Sequence, residues 1–217
     1  DSSPLNNLQD PTYTYSSTTT YSYNVVLTAT TTNGCVDNIT KVVTVHVIPT
    51  PTFTPVNACL NTNVALNNTS SVPLPDNISN YAWNFGTDAA PATTSSIQNP
   101  PLLTYTSSGI KTITLTVTAN TTCSASITQT VEVYAQPVAN FSTTSVCQST
   151  ATAYTDLSTP TGSITAWSWD FTSNGSADNA TNAPTNVFAT SGTFSTSLIV
   201  TDNHSCKDTV KLPVDVW

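Results

Sequence analysis

Residues 109–117 read GIKTITLTV, and their pattern gives the clearest indication of the fold class. Its apolar side chains at Ile113, Leu115 and Val117 alternate with threonines, which is the period-two pattern of a strand with one buried face. β-branched residues suit a pleated strand because their side chains are restricted at χ1. The stretch therefore predicts a β-strand that covers a hydrophobic core with every second residue.

Two other stretches repeat this pattern along the chain. Residues 192–200 read GTFSTSLIV, and the shorter run YSYNVVL occupies residues 21–27. Each of the three runs is followed by a polar turn and then by a cysteine, and these cysteines are Cys35, Cys123 and Cys206. The first two cysteines lie 88 residues apart and the last two lie 83 apart, so the chain is built from repeats.

The composition supports an all-β fold and excludes several classes of function. Thr, Val, Asn, Ser and Pro are abundant, whereas the helix formers Glu, Lys, Arg and Met are scarce or absent. The net charge is −8 and the chain has no Arg, so nucleic acid is not expected as a partner. No apolar run is long enough to cross a bilayer, so membrane insertion is not expected.

A second cysteine series keeps the register of the repeats, because Cys59 and Cys147 also lie 88 residues apart. We divide the chain into the C-terminal half of one repeat (1–48) and two complete or nearly complete repeats (49–135 and 136–217). Prolines mark short joints, so we expect neighbouring repeats to touch end to end. The chain begins inside a repeat and lacks an initiator Met, so we expect it to be part of a longer polypeptide.

Large aromatic residues mark the expected core of each full repeat. Trp83 and Trp169 occupy equivalent positions at which a β-sandwich buries a large ring. Tyr105 and Phe188 are expected to pack against them from the facing sheet. Each full repeat reads as about seven short strands.

Three motifs in a constant order resemble those of the PKD (polycystic kidney disease) domain family. They are a Trp-x-Phe stretch (83–85 and 169–171), an Asn-Pro pair ahead of Tyr105, and the Gly-initiated strand at 109–117. Both Trp-x-Phe stretches depart from the family in the Gly-Asp-Gly turn that normally follows. The cysteine pattern is similar to that of tandem repeats in giant surface proteins of Bacteroidota, including gliding adhesins. The resemblance implies tandem immunoglobulin-like sandwiches, arranged end to end, on a secreted cell-surface protein.

This implied fold favours one pairing of the cysteines. Cys59 and Cys147 fall near the loop between the first two strands, and Cys123 and Cys206 fall on the last hairpin, which an immunoglobulin-like sandwich places at its opposite end. Strands of six to eight residues separate these ends by roughly 20–25 Å, but a disulfide needs Cα atoms within about 7 Å. We therefore favour Cys59–Cys206 across the joint, with Cys35 and Cys123 bonded to preceding repeats and Cys147 to a following one.

Other states of the cysteines remain open at this point. The alternative pairing lies within each repeat and joins Cys59 to Cys123 and Cys147 to Cys206. Free thiols are a further alternative, and a metal site is less expected because the chain has no Cys-x-x-Cys pair.

The sequence offers few residues for chemistry. His46 and His204 belong to different repeats, and we interpret both as structural. Asp170, Asn174 and Asp178 space oxygen ligands around a glycine and form a weak candidate for calcium, without the terminal Glu of a calcium loop. We expect no catalytic residues and no other cofactor, so the chain is not expected to be an enzyme.

The leading hypothesis is a structural stalk or adhesive filament on a bacterial cell surface, stiffened by disulfides. Its expected partners are neighbouring repeats of the same long chain, with surface polysaccharide and lateral copies of the chain as further candidates. The alternative is an accessory carbohydrate- or protein-binding module of a secreted hydrolase.

Overall fold

The computed structural model describes residues 6–159 and 164–217, and the regular structure in these ranges is entirely β. Strands enclose two separate hydrophobic cores, one around Trp83 and one around Trp169. We call the strands around Trp83 the middle unit and those around Trp169 the C-terminal unit. Each core lies between two layers of strands, so the prediction of tandem immunoglobulin-like β-sandwiches is confirmed.

A two-stranded antiparallel hairpin precedes both units. It consists of β1 (Tyr21–Thr30) and β2 (Val36–Val45), and we call it the N-terminal hairpin. Its turn contains Gly34 at a φ of +82°, a conformation that glycine adopts without steric cost.

The middle unit is formed by nine strands, several of them only two or three residues long. They are β3 (Phe53–Pro55), β4 (Ala58–Cys59), β5 (Leu66–Asn68), β6 (Ile78–Asn84), β7 (Ala89–Ala90), β8 (Thr94–Ser95), β9 (Thr104–Tyr105), β10 (Gly109–Ala119) and β11 (Ser124–Tyr134). One layer is a five-stranded sheet in the order β4-β11-β10-β6-β8. The other layer contains the pairs β3–β5 and β7–β9.

The alternating stretch 109–117 forms most of β10, the central strand of this sheet. Ile113, Leu115 and Val117 are completely buried. The threonines between them point away from the core, and the hydroxyl of Thr116 lies 2.7 Å from that of Ser126 on β11. The alternation therefore separates a hydrophobic inner face from a face of cross-strand hydroxyl pairs.

The C-terminal unit repeats the arrangement with six strands among the described residues. They are β12 (Phe141–Thr143), β13 (Ala151–Asp156), β14 (Ile164–Asp170), β15 (Thr185–Val187), β16 (Gly192–Asp202) and β17 (Lys207–Val216). The sheet β14-β16-β17 corresponds to β6-β10-β11, and the sheet β12-β13-β15 forms the facing layer. Corresponding sheets thus enclose the two hydrophobic cores.

All four aromatic residues chosen from the sequence lie in the cores. Trp83, Trp169, Tyr105 and Phe188 are between 0% and 4% exposed. The indole N–H of Trp83 donates to the carbonyl of Ile97 at 3.0 Å, and that of Trp169 donates to the carbonyl of Thr181 at 2.8 Å. Each ring is therefore buried without leaving its polar atom unpaired.

The N-terminal hairpin has the same register as the last hairpin of the middle unit. Tyr21 lies opposite Val45 as Gly109 lies opposite Val133, and every other pair is likewise shifted by 88 residues. The exposures differ greatly, however. Leu27, the equivalent of the fully buried Leu115, is 64% exposed. The hairpin therefore presents an apolar inner face that no described strand covers.

A contact onto an aromatic ring next to this hairpin has an equivalent in each unit. The Tyr15 and Tyr23 ring centroids lie 4.6 Å apart, and the equivalent rings in the C-terminal unit, Phe188 and Phe194, lie 4.0 Å apart. In the middle unit Lys111 is the equivalent of Tyr23 and Phe194, and its ammonium lies 5.6 Å from the centre of the Tyr105 ring. The same pair position is thus filled in all three parts of the chain.

The Lys111 ammonium also binds Asp88. Its Nζ lies 2.6 Å from the carboxylate, which the Ser107 hydroxyl contacts at the same distance. Hydrogen bonds from Lys111 and then Ser107 lower the pKa of Asp88. Burial raises the pKa of Tyr105 to about 12, with the nearby Asp88 charge as a smaller cause.

The two units satisfy one buried carbonyl by different hydroxyl groups. In the middle unit the Tyr105 hydroxyl donates to the carbonyl of Phe85 at 2.9 Å. The equivalent carbonyl of Phe171 accepts from Thr196 at 3.1 Å, and Tyr154 lies 3.3 Å from the Thr196 hydroxyl. The buried tyrosine thus lies on β9 in the middle unit and on β13 in the C-terminal unit, but the equivalent carbonyl accepts a hydroxyl hydrogen bond in both.

Removal of the hydroxyl in the middle unit is expected to be destabilising. Tyr105→Phe leaves the carbonyl of Phe85 buried without a donor, which costs about 1–3 kcal/mol in the free energy of unfolding. Tyr81→Phe is the matched control, because the Tyr81 side chain packs at the edge of the same core. Urea unfolding of both variants tests this, and equal stabilities would contradict the assignment.

Substitution of one buried threonine should stabilise the C-terminal unit. Thr152 is completely buried and its hydroxyl has no hydrogen-bond partner, whereas the equivalent residue of the middle unit is Val64. Thr152→Val keeps the shape and removes the unpaired hydroxyl, so we expect a gain of about 1–2 kcal/mol in the free energy of unfolding. The exposed Thr155→Val should change it by less than about 0.5 kcal/mol. A loss of stability in T152V, measured in urea, would refute this expectation.

Candidate functional site: the joint between two units

A disulfide crosses the joint between the middle and C-terminal units. It links Cys59 on β4 to Cys206 in the turn between β16 and β17, with Cα atoms 5.6 Å apart. This is the inter-repeat pair that the implied fold favoured. The alternative bond between Cys147 and Cys206 is not formed, because Cys206 is already bonded to Cys59.

Two flat side chains stack beside the disulfide. The rings of Tyr134, at the end of β11, and His204, in the same turn as Cys206, lie 3.8 Å apart with only 10° between their planes. The Tyr134 hydroxyl accepts from the Asn57 side-chain amide at 2.9 Å. The joint therefore includes one covalent bond and one ring stack, both distinct from the linker peptide.

Local backbone structure positions each half of this contact. On the middle unit, β4 pairs in parallel with the end of β11, which sets Cys59 opposite Tyr134. On the C-terminal unit, the buried Asp202 carboxylate accepts the backbone N–H groups of His204 at 2.9 Å and Cys206 at 2.8 Å. One acidic side chain thus fixes the turn that presents both contacting residues.

The other cysteines of the described chain are unbonded. Cys35 and Cys147 are exposed and Cys123 is partly exposed. Their predicted bonds to repeats outside this chain therefore remain predictions. Because Cys59 is bonded to Cys206, the alternative pair Cys59–Cys123 is not formed.

His46 occupies the position of Tyr134 at the preceding joint, between the N-terminal hairpin and the middle unit. Its Nδ1 lies 3.8 Å from the carboxylate of Asp76, which also accepts the hydroxyl of Thr20. Asp76 is only 5% exposed. Sequence reasoning missed this contact, because the spacing of these three residues repeats nowhere else in the chain.

The weak calcium candidate is a loop closed by its own backbone. The Asp170 carboxylate accepts from the amides of Asn174 at 3.1 Å and Gly175 at 2.8 Å, and Asp178 accepts from that of Phe171 at 2.7 Å. Desolvation opposes ionisation of Asp170, but the combined amide hydrogen bonds outweigh it and lower its pKa. These carboxylates therefore help to close the turn, and calcium binding at Asp170, Asn174 and Asp178 remains a prediction.

In the part of the chain that the structure describes, no group of three or more His, Cys, Asp or Glu residues is arranged to hold a metal ion. Within residues 6–159 and 164–217 there is also no helix with the length and apolar character needed to span a membrane.

Comparisons with solved structures find similarity to PKD domains. The crystal structure of the PKD1 domain of Vibrio anguillarum Epp is 27% identical with a TM-score of 0.34, and the alignment covers 37% of this chain and 93% of that one. The PKD1 domain of the Vibrio cholerae metalloprotease PrtV is 29% identical with a TM-score of 0.33, covering 37% and 96%.

Fibronectin(III)-like modules of Clostridium thermocellum CbhA are 13% identical with a TM-score of 0.37, covering 76% of this chain and 94% of that one. No curated protein shows significant sequence similarity to the chain. The family model described as PKD domain matches twice in succession, at residues 46–135 and 134–216. Since these two matches take up most of the sequence, the chain belongs to the PKD domain family.

Proposed function

We propose that the chain is a segment of a structural stalk or adhesive filament on a secreted bacterial cell-surface protein, as in the Bacteroidota proteins that its cysteine pattern resembles. The observation that carries the proposal is the disulfide from Cys59 to Cys206, which joins successive units at a point separate from their linker.

A second connection between two domains changes their mechanics. Domains joined by one short linker bend about it unless a large interface restrains them. The linker here runs between Tyr134 and Phe141, and the disulfide adds a covalent connection beside it. Bending that separates the Cys59 loop from the Cys206 turn is then blocked, which suits a rod that holds a distal group away from the cell.

The N-terminal hairpin supports an array longer than two units. It reproduces the register of β10–β11 but leaves Val25, Leu27 and Val43 between 38% and 64% exposed. Their equivalents Ile113, Leu115 and Val131 are at most 1% exposed. We interpret residues 1–48 as the second half of a further repeat, whose first half would cover this face.

The family and the disulfide favour the same location. PKD domains are immunoglobulin-like modules typical of extracellular and surface proteins, including secreted proteases, and are typically non-catalytic. Structural disulfides form and persist in oxidising compartments. Both points support an extracellular protein with a mechanical and not a chemical role.

Electron microscopy of the source cells tests the proposal. Immunogold labels directed against the middle unit should decorate surface filaments along their length, with an axial repeat of roughly 35–45 Å per sandwich. Antibody absorbed with the purified chain is the control. Label found only on a soluble secreted enzyme would refute the stalk and favour an accessory module of a hydrolase.

A further inference from the structure

The far end of the C-terminal unit presents the same pair of groups that the middle unit uses at its joint. Cys147 is exposed, and Trp217 is 71% exposed. By repeat spacing, Cys147 corresponds to Cys59 and Trp217 to Tyr134. The two residues whose equivalents bind the next unit thus lie uncovered at this end.

The backbone around Cys147 copies that around Cys59. In the middle unit the Leu60 N–H donates to the carbonyl of Tyr134 at 2.8 Å, and in the C-terminal unit the Gln148 N–H donates to that of Trp217 at 2.6 Å. A parallel bridge between Val146 and Val216 replaces the pairing of β4 with β11. Cys147 and Trp217 are therefore side by side, as Cys59 and Tyr134 are.

The turn that follows each cysteine is also the same. The Thr62 N–H donates to the carbonyl of Cys59 at 3.0 Å, and the Thr150 N–H donates to that of Cys147 at 3.1 Å. Asn61 and Ser149, two residues after the respective cysteines, have φ values of 61° and 62°. Such positive φ values are uncommon outside glycine, so their coincidence indicates that the two loops present their sulfur atoms alike.

We propose that Cys147 and Trp217 form a socket for the cysteine-bearing turn of a further PKD-like unit in the same polypeptide. The partner turn places a thiol against Cys147 and a flat group, such as the imidazole of His204 in the joint already described, on the Trp217 indole. This inference deepens the proposed stalk and rests on it, because it names the neighbour that the C-terminal unit binds.

The covalent step is a thiol–disulfide exchange that oxidises the two thiols. The Cys147 thiol and the partner thiol lose two protons and two electrons as their sulfur atoms join, and a low-molecular-weight disulfide is reduced to two thiols. The stack on Trp217 does not depend on this step and should hold the turn in place before the bond forms.

Disulfide mapping of the full-length protein tests the bond. The protein is taken from its source cells after free thiols are blocked with iodoacetamide, and it is then digested without reduction for mass spectrometry. We expect a Cys147 peptide joined to a cysteine peptide from outside residues 1–217. Alkylated Cys147, or a bond from Cys147 to Cys35 or Cys123, would overturn the proposal.

The same digest separates this inference from the proposed function. Recovery of the Cys59–Cys206 peptide together with alkylated Cys147 would overturn the socket and leave the stapled joint intact. Alkylated Cys59 and Cys206 would count against the stalk proposal itself.

Variants of Trp217 in the full-length protein test the ring. In a glutathione redox buffer, Trp217→Ser should raise the reduced fraction of Cys147 several-fold. Trp217→Tyr should leave it nearly unchanged, because Tyr134 fills that position at the existing joint. An unchanged reduced fraction in W217S would overturn the assignment of the indole to the socket.

Discussion

When the two ends of the chain are pulled apart, we expect the oxidised chain to extend about 500 Å less than the reduced chain. The disulfide joins residues separated by 147 positions, and an extended residue contributes roughly 3.4 Å. Tension entering at Cys59 passes through the sulfur atoms to Cys206, so the residues between them are not stretched. Single-molecule force spectroscopy, with handles at residues 1 and 217, measures the difference directly.

Two variants make this measurement specific. The double variant C59S/C206S should release the whole hidden length under oxidising conditions, as reduction does in the native chain. Cys147→Ser is the matched control, because Cys147 occupies the equivalent loop but is unbonded. Equal extensions of the oxidised and reduced native chains would contradict the expectation.

Truncation of the central ring of the C-terminal unit should have the largest effect on stability. Trp169 is completely buried, and its indole contacts the rings of Phe141 and Tyr154 at centroid distances of 5.2 and 5.3 Å. Trp169→Ala removes these contacts and leaves a cavity, which costs about 3–5 kcal/mol in the free energy of unfolding.

Hydrogen exchange with mass spectrometry reports each unit separately and can check this value. In W169A the amides of β16 should exchange much faster, whereas those of β10 should keep their native protection. Trp217→Ala is the control, because that ring is 71% exposed and packs in neither core. A loss below about 1 kcal/mol would show that the unit is not organised around this ring.

Most of the fold could be predicted because it depends on local patterns. The alternation in residues 109–117 places Ile113, Leu115 and Val117 on one face of a strand whatever the rest of the chain does. Repeat spacing then transfers the same conclusion to residues 192–200. The positions of Trp83 and Trp169 follow from the same spacing, and both rings are buried.

Contacts that depend on the docking of one unit on another were harder to predict. The stack of Tyr134 on His204 unites residues that no repeat spacing relates, and so does the contact of His46 with Asp76. The hydrogen bonds around the calcium candidate could not be predicted from the sequence either. Asp170 and Asp178 have suitable spacing, but the sequence does not reveal that backbone amides already bind their carboxylates.

The relocated hydroxyl has a consequence for anyone who assembles hybrid repeats. Leu66, Tyr105 and Ile113 lie on three different strands of the middle unit. They correspond to Tyr154, Phe188 and Thr196 in the C-terminal unit. A middle unit that carries β16 in place of β10 would have a second hydroxyl, that of Thr196, near the carbonyl of Phe85. A C-terminal unit that carries β10 in place of β16 would lose the Thr196 hydroxyl that donates to the carbonyl of Phe171. Crossover points in such chimeras should therefore keep each trio together, even though the hydrophobic patterns of the strands are interchangeable.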